Sequence, residues 1–371
     1  MHTFTFVTPG KVVCGAGATT DGRLAAEAAL LGKRPLIVCG KSLAMSGMLE
    51  KIQATLPDAR FHIGVPPEPT LADCTAAQGS AKRCDSIIAI GGGSVLDVAK
   101  AAALPGNIYD YFDGKLGVPE SGSDTLPILA VPTTAGTGSE ATWVGVFTDK
   151  RGTAPKKASI RGGAMLPRTV ILDATLSVSC PPHVTAYSGM DAFVQAVEAF
   201  VSRGANPFTD PLALQAAFDI AEWLPSAFRD GENLEARERM LIASYQAGMA
   251  LNTARLGLVH GIAHPVGART GAAHGLLCAL LLPSVIRFNL GADLDRYSDI
   301  AIGLGAPRED LATFAEKWLD DFSIPRHLSN LGLKRTDFDA IIAETLVSGS
   351  TKANPRTVAA SDVQEVLEAC W

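Results

Sequence analysis

Ile87-Ile88-Ala89-Ile90-Gly91-Gly92-Gly93-Ser94-Val95-Leu96-Asp97-Val98-Ala99-Lys100 is the stretch on which the fold turns. A short, unbroken apolar run meets three glycines and passes into a segment with helical spacing. Such a run reads as a strand buried on both faces of a parallel sheet. Three glycines let the backbone approach a ligand closely and adopt positive φ. Ser94 is placed to cap the helix that follows. First-turn amides and the helix dipole together favour a diphosphate. One glycine would serve a plain strand-to-helix turn, so three in a row favour the phosphate reading.

Working outward, Pro35–Cys39, Pro127–Val131 and Thr169–Asp173 have the same short apolar character. Helical segments such as Ser94–Leu104 lie between them, and strand–helix alternation implies an α/β domain. After Pro182 the pattern changes. Val184–Val201, Asp210–Phe228, Leu234–Asn252, Asp310–Phe322 and Ala360–Ala369 all carry helical periodicity, and no convincing strand is legible. The expectation is an α/β domain over residues 1–180 and an all-helical domain over 181–371. No repeat, low-complexity tract or long charge run interrupts either half.

Composition narrows the function. At 371 residues the chain is long enough for two domains. Its net charge of −6 argues against nucleic acid and against a polybasic membrane contact. No apolar run reaches the ~18 residues of a membrane span, and Met1–Phe6 lacks a secretory pattern. The seven cysteines are scattered, with no CxxC pair, which reads as reduced thiols in a cytoplasmic protein. No chemistry is assigned to any of them.

Two further regions carry chemistry. Pro132-Thr133-Thr134-Ala135-Gly136-Thr137-Gly138-Ser139-Glu140-Ala141 follows a strand and offers hydroxyls to a ribose, phosphate or carboxamide. Its loose GxGxxA match is weak, because no acidic residue follows about twenty positions on. The other region is a histidine window: His260 and His264 lie four apart, and His274 lies ten further on. Upstream, Asp191 and Gln195 are also four apart, which on a helix is one face. Imidazole and carboxylate are usual ligands for zinc or ferrous iron. One of these histidines could bind metal while another moves protons, since a free imidazole titrates near ~6.5.

Taken together, these motifs resemble the iron-containing, or group III, alcohol dehydrogenase family. The resemblance runs from about Phe6 to about Asn289. It rests on Gly91–Lys100, Pro132–Glu140, Gly189-Met190-Asp191-Ala192, Ala205–Asp210, and Val259-His260 through His274-Gly275. It implies a dinucleotide-binding domain, a helical domain of dehydroquinate synthase-like architecture, and a metal between them. Carried over by motif, Asp191, His260 and His274 are metal ligands, and Gln195 holds the position of a fourth. His264 matches a proton relay near the nicotinamide. Gly92, Gly93, Ser94, Asp97, Thr133, Thr134, Thr137 and Lys157 match cofactor contacts.

Two positions depart from the family pattern. Gln195 stands where histidine is usual, and an amide oxygen binds metal less strongly than imidazole. Gly40, followed by Lys41, stands where many members have an aspartate that repels a 2′-phosphate. The resemblance therefore implies that NADP is accepted as well as NAD, with Gly40 and Lys41 at the ribose. The expected activity is hydride transfer between nicotinamide and a small alcohol or aldehyde, aided by a divalent ion, Fe2+ or Zn2+. Substrate contacts are expected from Ala141–Asp149 and from helices around Phe193 and Phe288. The rival readings are a dinucleotide-binding protein with an impaired metal site and a dehydroquinate-synthase-like lyase. The lyase needs several basic residues, and Leu256–Gly275 holds only Arg269. No nucleic acid or membrane partner is expected; a homodimer is the assembly the family suggests.

Overall fold

The computed structural model describes residues 3–122, 124–152 and 155–371. The chain divides into two compact units, Thr8–Cys180 and Pro181–Trp371, the second joined by the N-terminal residues through Val7. The sequence reading gives that first segment to the α/β domain. Its partners explain the difference. Asn252 Nδ2 donates to Val7 O at 3.0 Å, and the rings of Phe4 and Phe6 each lie 5.7 Å from that of Phe208.

Among the described residues the first unit contains eight strands: β1 (Lys11–Cys14), β2 (Pro35–Cys39), β3 (Arg60–Ile63), β4 (Ser86–Gly91), β5 (Ile128–Pro132), β6 (Val144–Asp149), β7 (Lys156–Arg161) and β8 (Thr169–Leu172). Six form one parallel sheet in the order β1-β8-β5-β4-β2-β3. Every residue of β2, β4, β5 and β8 is buried. That is why these four read as unbroken apolar runs. Fully burying one isoleucine, such as Ile88 or Ile90, contributes roughly 1.5–3 kcal/mol.

β1 and β3 are the sheet's edges and are largely exposed, so neither carries that signal. β6 and β7 pair antiparallel as a separate hairpin. Residues 144–149, expected to be a substrate-lining loop, are therefore a strand. Phe147 of that strand is fully buried.

From β2 the chain runs outward to β3, then crosses back to β4 on the other side of β2. Connections thus diverge between β2 and β4, and open α/β sheets bind ligands at the carboxyl ends of such strands. Register pairs Cys39 with Ile90 and Gly91 with Pro132. Gly40, Gly91–Gly93 and Thr133 therefore leave the same edge of the sheet side by side.

The second unit is helical, and among the described residues no strand lies beyond Leu172. Helices Pro182–Val201, Thr209–Arg229 and Leu234–Ala254 pack on one another. Pro182 occupies the first turn, where its missing N–H costs nothing. The Asn206-Pro207-Phe208-Thr209 motif starts the second of these helices: Asn206 Oδ1 accepts from the amides of Phe208 and Thr209. Phe193 is fully buried, its ring 4.9 Å from that of Trp318, so it is core rather than substrate wall. No described helix is long and apolar enough to cross a membrane.

Candidate functional site

The glycine loop of the first unit differs from expectation in one respect. The helix begins at Gly93 with Gly92 as its N-cap, so Ser94 lies inside the first turn and does not cap it. Val95 and Leu96 amides close back on Gly92 O. The Gly93 and Ser94 amides are then the first-turn donors a diphosphate would meet. The loop after β5 packs against this turn. Thr133 N donates to Gly91 O at 3.0 Å, and a Cβ on Gly93 would stand 2.5 Å from Thr137 Cγ2. Only glycine at 93 lets the two loops meet. Residues 139–141 make a single 3-10 turn, so the GxGxxA match opens no helix of dinucleotide type.

Gly40 precedes the short Lys41–Met45 helix, and Lys41 is exposed at its start. Lys157 is on β7 and forms an ion pair with Glu68. Asp97 is engaged inside the unit. Its Oδ1 accepts from Ser139 Oγ at 2.6 Å and its Oδ2 from the Val146 amide at 2.9 Å.

Beside Asp97 lies a charged side chain to which the sequence reading gave no role. Lys100 is fully buried and donates to Ser139 Oγ (2.7 Å), Thr142 Oγ1 (3.1 Å) and Val144 O (2.7 Å). All three of its protons are thus placed. Burial pushes the Lys100 ammonium down to about 8, against the pull of Asp97 and Glu140. Burial likewise pushes the Glu140 carboxyl up to about 7.

In the helical unit, Asp191, Gln195 and Glu198 fall on one face of the Pro182–Val201 helix and are all buried. Glu198 Oε1 accepts from the Val259 amide at 2.7 Å, and Oε2 lies 2.6 Å from His260 Nδ1. A carboxylate can only accept, so Nδ1 carries a proton and Nε2 is the nitrogen left to meet a ligand. Nε2 faces Asp191 Oδ1 at 3.3 Å.

His274 opens the next helix, and its Nε2 lies 3.8 Å from the same oxygen. Gly275 makes that approach possible: a Cβ there would stand 2.0 Å from Tyr187 O. Cys278, one turn along, has its Sγ 3.6 Å from His274 Nε2. One ligand atom each from Asp191, His260, His274 and Cys278 lies within 4.8 Å of the others.

The residues fit a divalent cation. Asp191 Oδ1, Gln195 Oε1 and His260 Nε2 are buried with no hydrogen-bond partner. Each such orphan costs about 1–3 kcal/mol, a cost a shared cation removes. Burial pushes His260 down, but Cys278, Asp191 and Glu198 outweigh it and hold the imidazole well above its ordinary value, so a proton sits on Nε2 until a cation displaces it.

His264, half-buried, stacks on His274 with ring centroids 5.1 Å apart and planes 16° from parallel. Pro265 removes the helix bond to Gly261 O, and Thr345 Oγ1 donates to that carbonyl instead. Asp191, His260 and His274 are thus brought together. Gln195 adjoins them through Asp191 Oδ2, to which its Nε2 donates at 3.1 Å. Glu198 and Cys278 were missed. Their one sequence signal is spacing, seven residues after Asp191 and four after His274.

Comparison with known proteins identifies the family. Residues 9–174 match the family profile described as iron-containing alcohol dehydrogenase, and residues 185–371 match its C-terminal part. The NAD-dependent methanol dehydrogenase of Bacillus methanolicus is 34% identical, over 98% of each chain. The lactaldehyde reductase of Escherichia coli K12 is 33% identical, over 91% of this chain and 92% of its own. A crystal structure of 1,3-propanediol oxidoreductase superposes with a TM-score of 0.90 at 35% identity, over the whole of both chains. The chain belongs to the iron-containing alcohol dehydrogenase family, NAD(P)-linked oxidoreductases of CH–OH groups.

Proposed function

We propose that this protein exchanges a hydride between NAD(P) and a short, uncharged primary alcohol or its aldehyde. The carrying observation is the convergence of two buried, orphaned ligand atoms, on Asp191 and His260, with His274. The substrates named for three of the relatives, methanol, lactaldehyde and 1,3-propanediol, are small and uncharged, while a fourth is named for the anionic sulfoacetaldehyde. When bound, a divalent ion would polarise the substrate oxygen and the nicotinamide would carry the hydride.

The chain's own residues do the rest. Asp191, His260 and His274 hold the ion, and Glu198 keeps the His260 ring in its ligating tautomer. His264 accepts the alcohol proton and passes it to solvent. Gly92, Gly93 and Ser94 receive the diphosphate, and Thr133, Thr134 and Thr137 offer hydroxyls around it. Asp97 and Lys157 support the wall of that site, each held by an internal partner. Gly40 removes the carboxylate that would repel a 2′-phosphate, and exposed Lys41 pairs with it, so NADP(H) is accepted. The protein works in the cytoplasm, a reading that the seven free thiols among the described residues support, and the homodimer is the assembly that the family resemblance suggests.

One experiment tests the core of this. Elemental analysis of the purified protein is paired with cofactor absorbance over a panel of one- to three-carbon aldehydes, with NADH and with NADPH. About one divalent ion per chain and aldehyde-dependent oxidation of both cofactors are expected. A metal-loaded protein that oxidises neither cofactor with any aldehyde overturns the activity. A kcat/KM far higher with NADH than with NADPH overturns the role given to Gly40 and Lys41.

A further inference from the structure

We propose that the fourth metal ligand in this chain is the Cys278 thiolate rather than Gln195, and that the resulting Asp-His-His-Cys site prefers zinc. The inference rests on the metal-dependent reading above. Its geometric basis is the shared reach of four ligand atoms from Asp191, His260, His274 and Cys278, all within 4.8 Å. Asp191 Oδ1 and His260 Nε2 are aimed into that space as buried atoms with no other partner. Cys278 is buried and sits one helical turn beyond His274, so a single helix delivers two ligands to one point.

Gln195 is engaged differently. Its Nε2 donates to Asp191 Oδ2 at 3.1 Å, which holds the carboxylate with Oδ1 turned toward His260. That bond makes Gln195 a positioning residue for Asp191, and its own Oε1, buried without a partner, is the rival fourth ligand that the test below separates from Cys278.

Donor chemistry favours the same assignment. Binding releases the Cys278 thiol proton to solvent. A soft thiolate beside two imidazoles and one carboxylate is a donor set suited to zinc, while hard oxygen donors favour other ions.

The test replaces the bound ion with Co2+ in the full-length protein and records the near-ultraviolet spectrum. An intense thiolate-to-cobalt charge-transfer band is expected in the wild type. It should vanish in Cys278→Ser and persist in Gln195→Ala. Zinc X-ray absorption on the unmutated protein gives a readout independent of variant folding, with one sulfur neighbour expected at about 2.3 Å. Zinc should also be held against Fe2+ in competition, and Cys278→Ser should weaken zinc by more than the ~10–100-fold typical of losing a supporting hydrogen bond. A cobalt protein without the band, or zinc with only nitrogen and oxygen neighbours, overturns the thiolate ligand and leaves the metal-dependent reading standing. A wild-type protein that takes up neither ion overturns both.

Discussion

The two units each bury a cluster of charged side chains, and the clusters are built on opposite plans. Around Lys100 the cation is part of the chain. Its three protons go to Ser139, Thr142 and Val144, and Asp97 has a partner for each oxygen. Glu140 Oε1 is the exception, lacking a partner, and its raised carboxyl can quench its own charge by keeping a proton. Around His260 the carboxylates of Asp191 and Glu198 meet only the imidazole, whose second proton a bound cation would displace. Orphaned atoms of Asp191, Gln195 and His260 meet there instead. A buried charge answered by the chain is scaffolding, whereas buried donors that converge unanswered mark a place for something bound.

The sharpest way to break this comparison is to remove one residue from each cluster. His260→Ala deletes a ligand, while Glu198 keeps the Val259 amide as a partner. We expect loss of the ion and a fall in kcat/KM of about four orders of magnitude, since ion and ligand together contribute several kcal/mol to the transition state. The thermal midpoint of metal-free protein should change far less. Lys100→Met should do the reverse. It leaves Asp97 and Glu140 buried without their cation, and about 3–5 kcal/mol of stability should be lost in urea titrations. Metal content should stay at the wild-type level. If Lys100→Met loses the ion, or His260→Ala keeps it, the division of labour is wrong.

The same contrast explains what was legible in the sequence. β2, β4, β5 and β8 announce themselves because burial on both faces demands unbroken apolar runs. β1 and β3 do not, because an edge strand may mix Lys11 or Arg60 with apolar residues at no cost. β6 hides behind Gly145, Thr148 and Asp149, whose strand character comes from pairing with β7. At the site, Asp191, Gln195, His260, His264 and His274 could be picked out by residue type and helical spacing. Cys278 and Glu198 could not. Their relevance depends on which helix faces meet, and that is set by a crossing at Gly275, where only a hydrogen fits against Tyr187 O.

A milder perturbation probes the closed cluster without mutation. Burial holds the Glu140 carboxyl at about 7, against an ordinary 4.5. Between those values the folded chain binds more protons than the unfolded one, so stability should fall as pH rises from 4.5 through 7. Lys100 has the opposite sign. With its ammonium lowered to about 8 from 10.5, the unfolded chain binds more protons in that window and stability should recover as pH rises. The glutamate effect integrates to at most about 3 kcal/mol. Urea midpoints across this range should show the decline in the wild type, and Glu140→Gln should flatten it. An equal decline in both proteins would remove Glu140 from the explanation.

The smallest expected effect belongs to His264, which adjoins the open cluster without belonging to its ligand set. Its ring stacks on His274 at 5.1 Å and lies 6.3 Å from that of His260. A relay in that position acts on a proton and leaves the ion where it is. His264→Ala should therefore keep full metal content and lower kcat about a hundredfold, the usual scale of general acid–base assistance. Stacking alone would also be lost in this variant, so kcat by itself does not separate a relay from a packing partner. Added free imidazole does. It should restore part of kcat if the missing function is proton transfer, and leave it unchanged if the ring only braced His274. Loss of the ion in His264→Ala would assign the residue to bracing directly and move it into the open cluster.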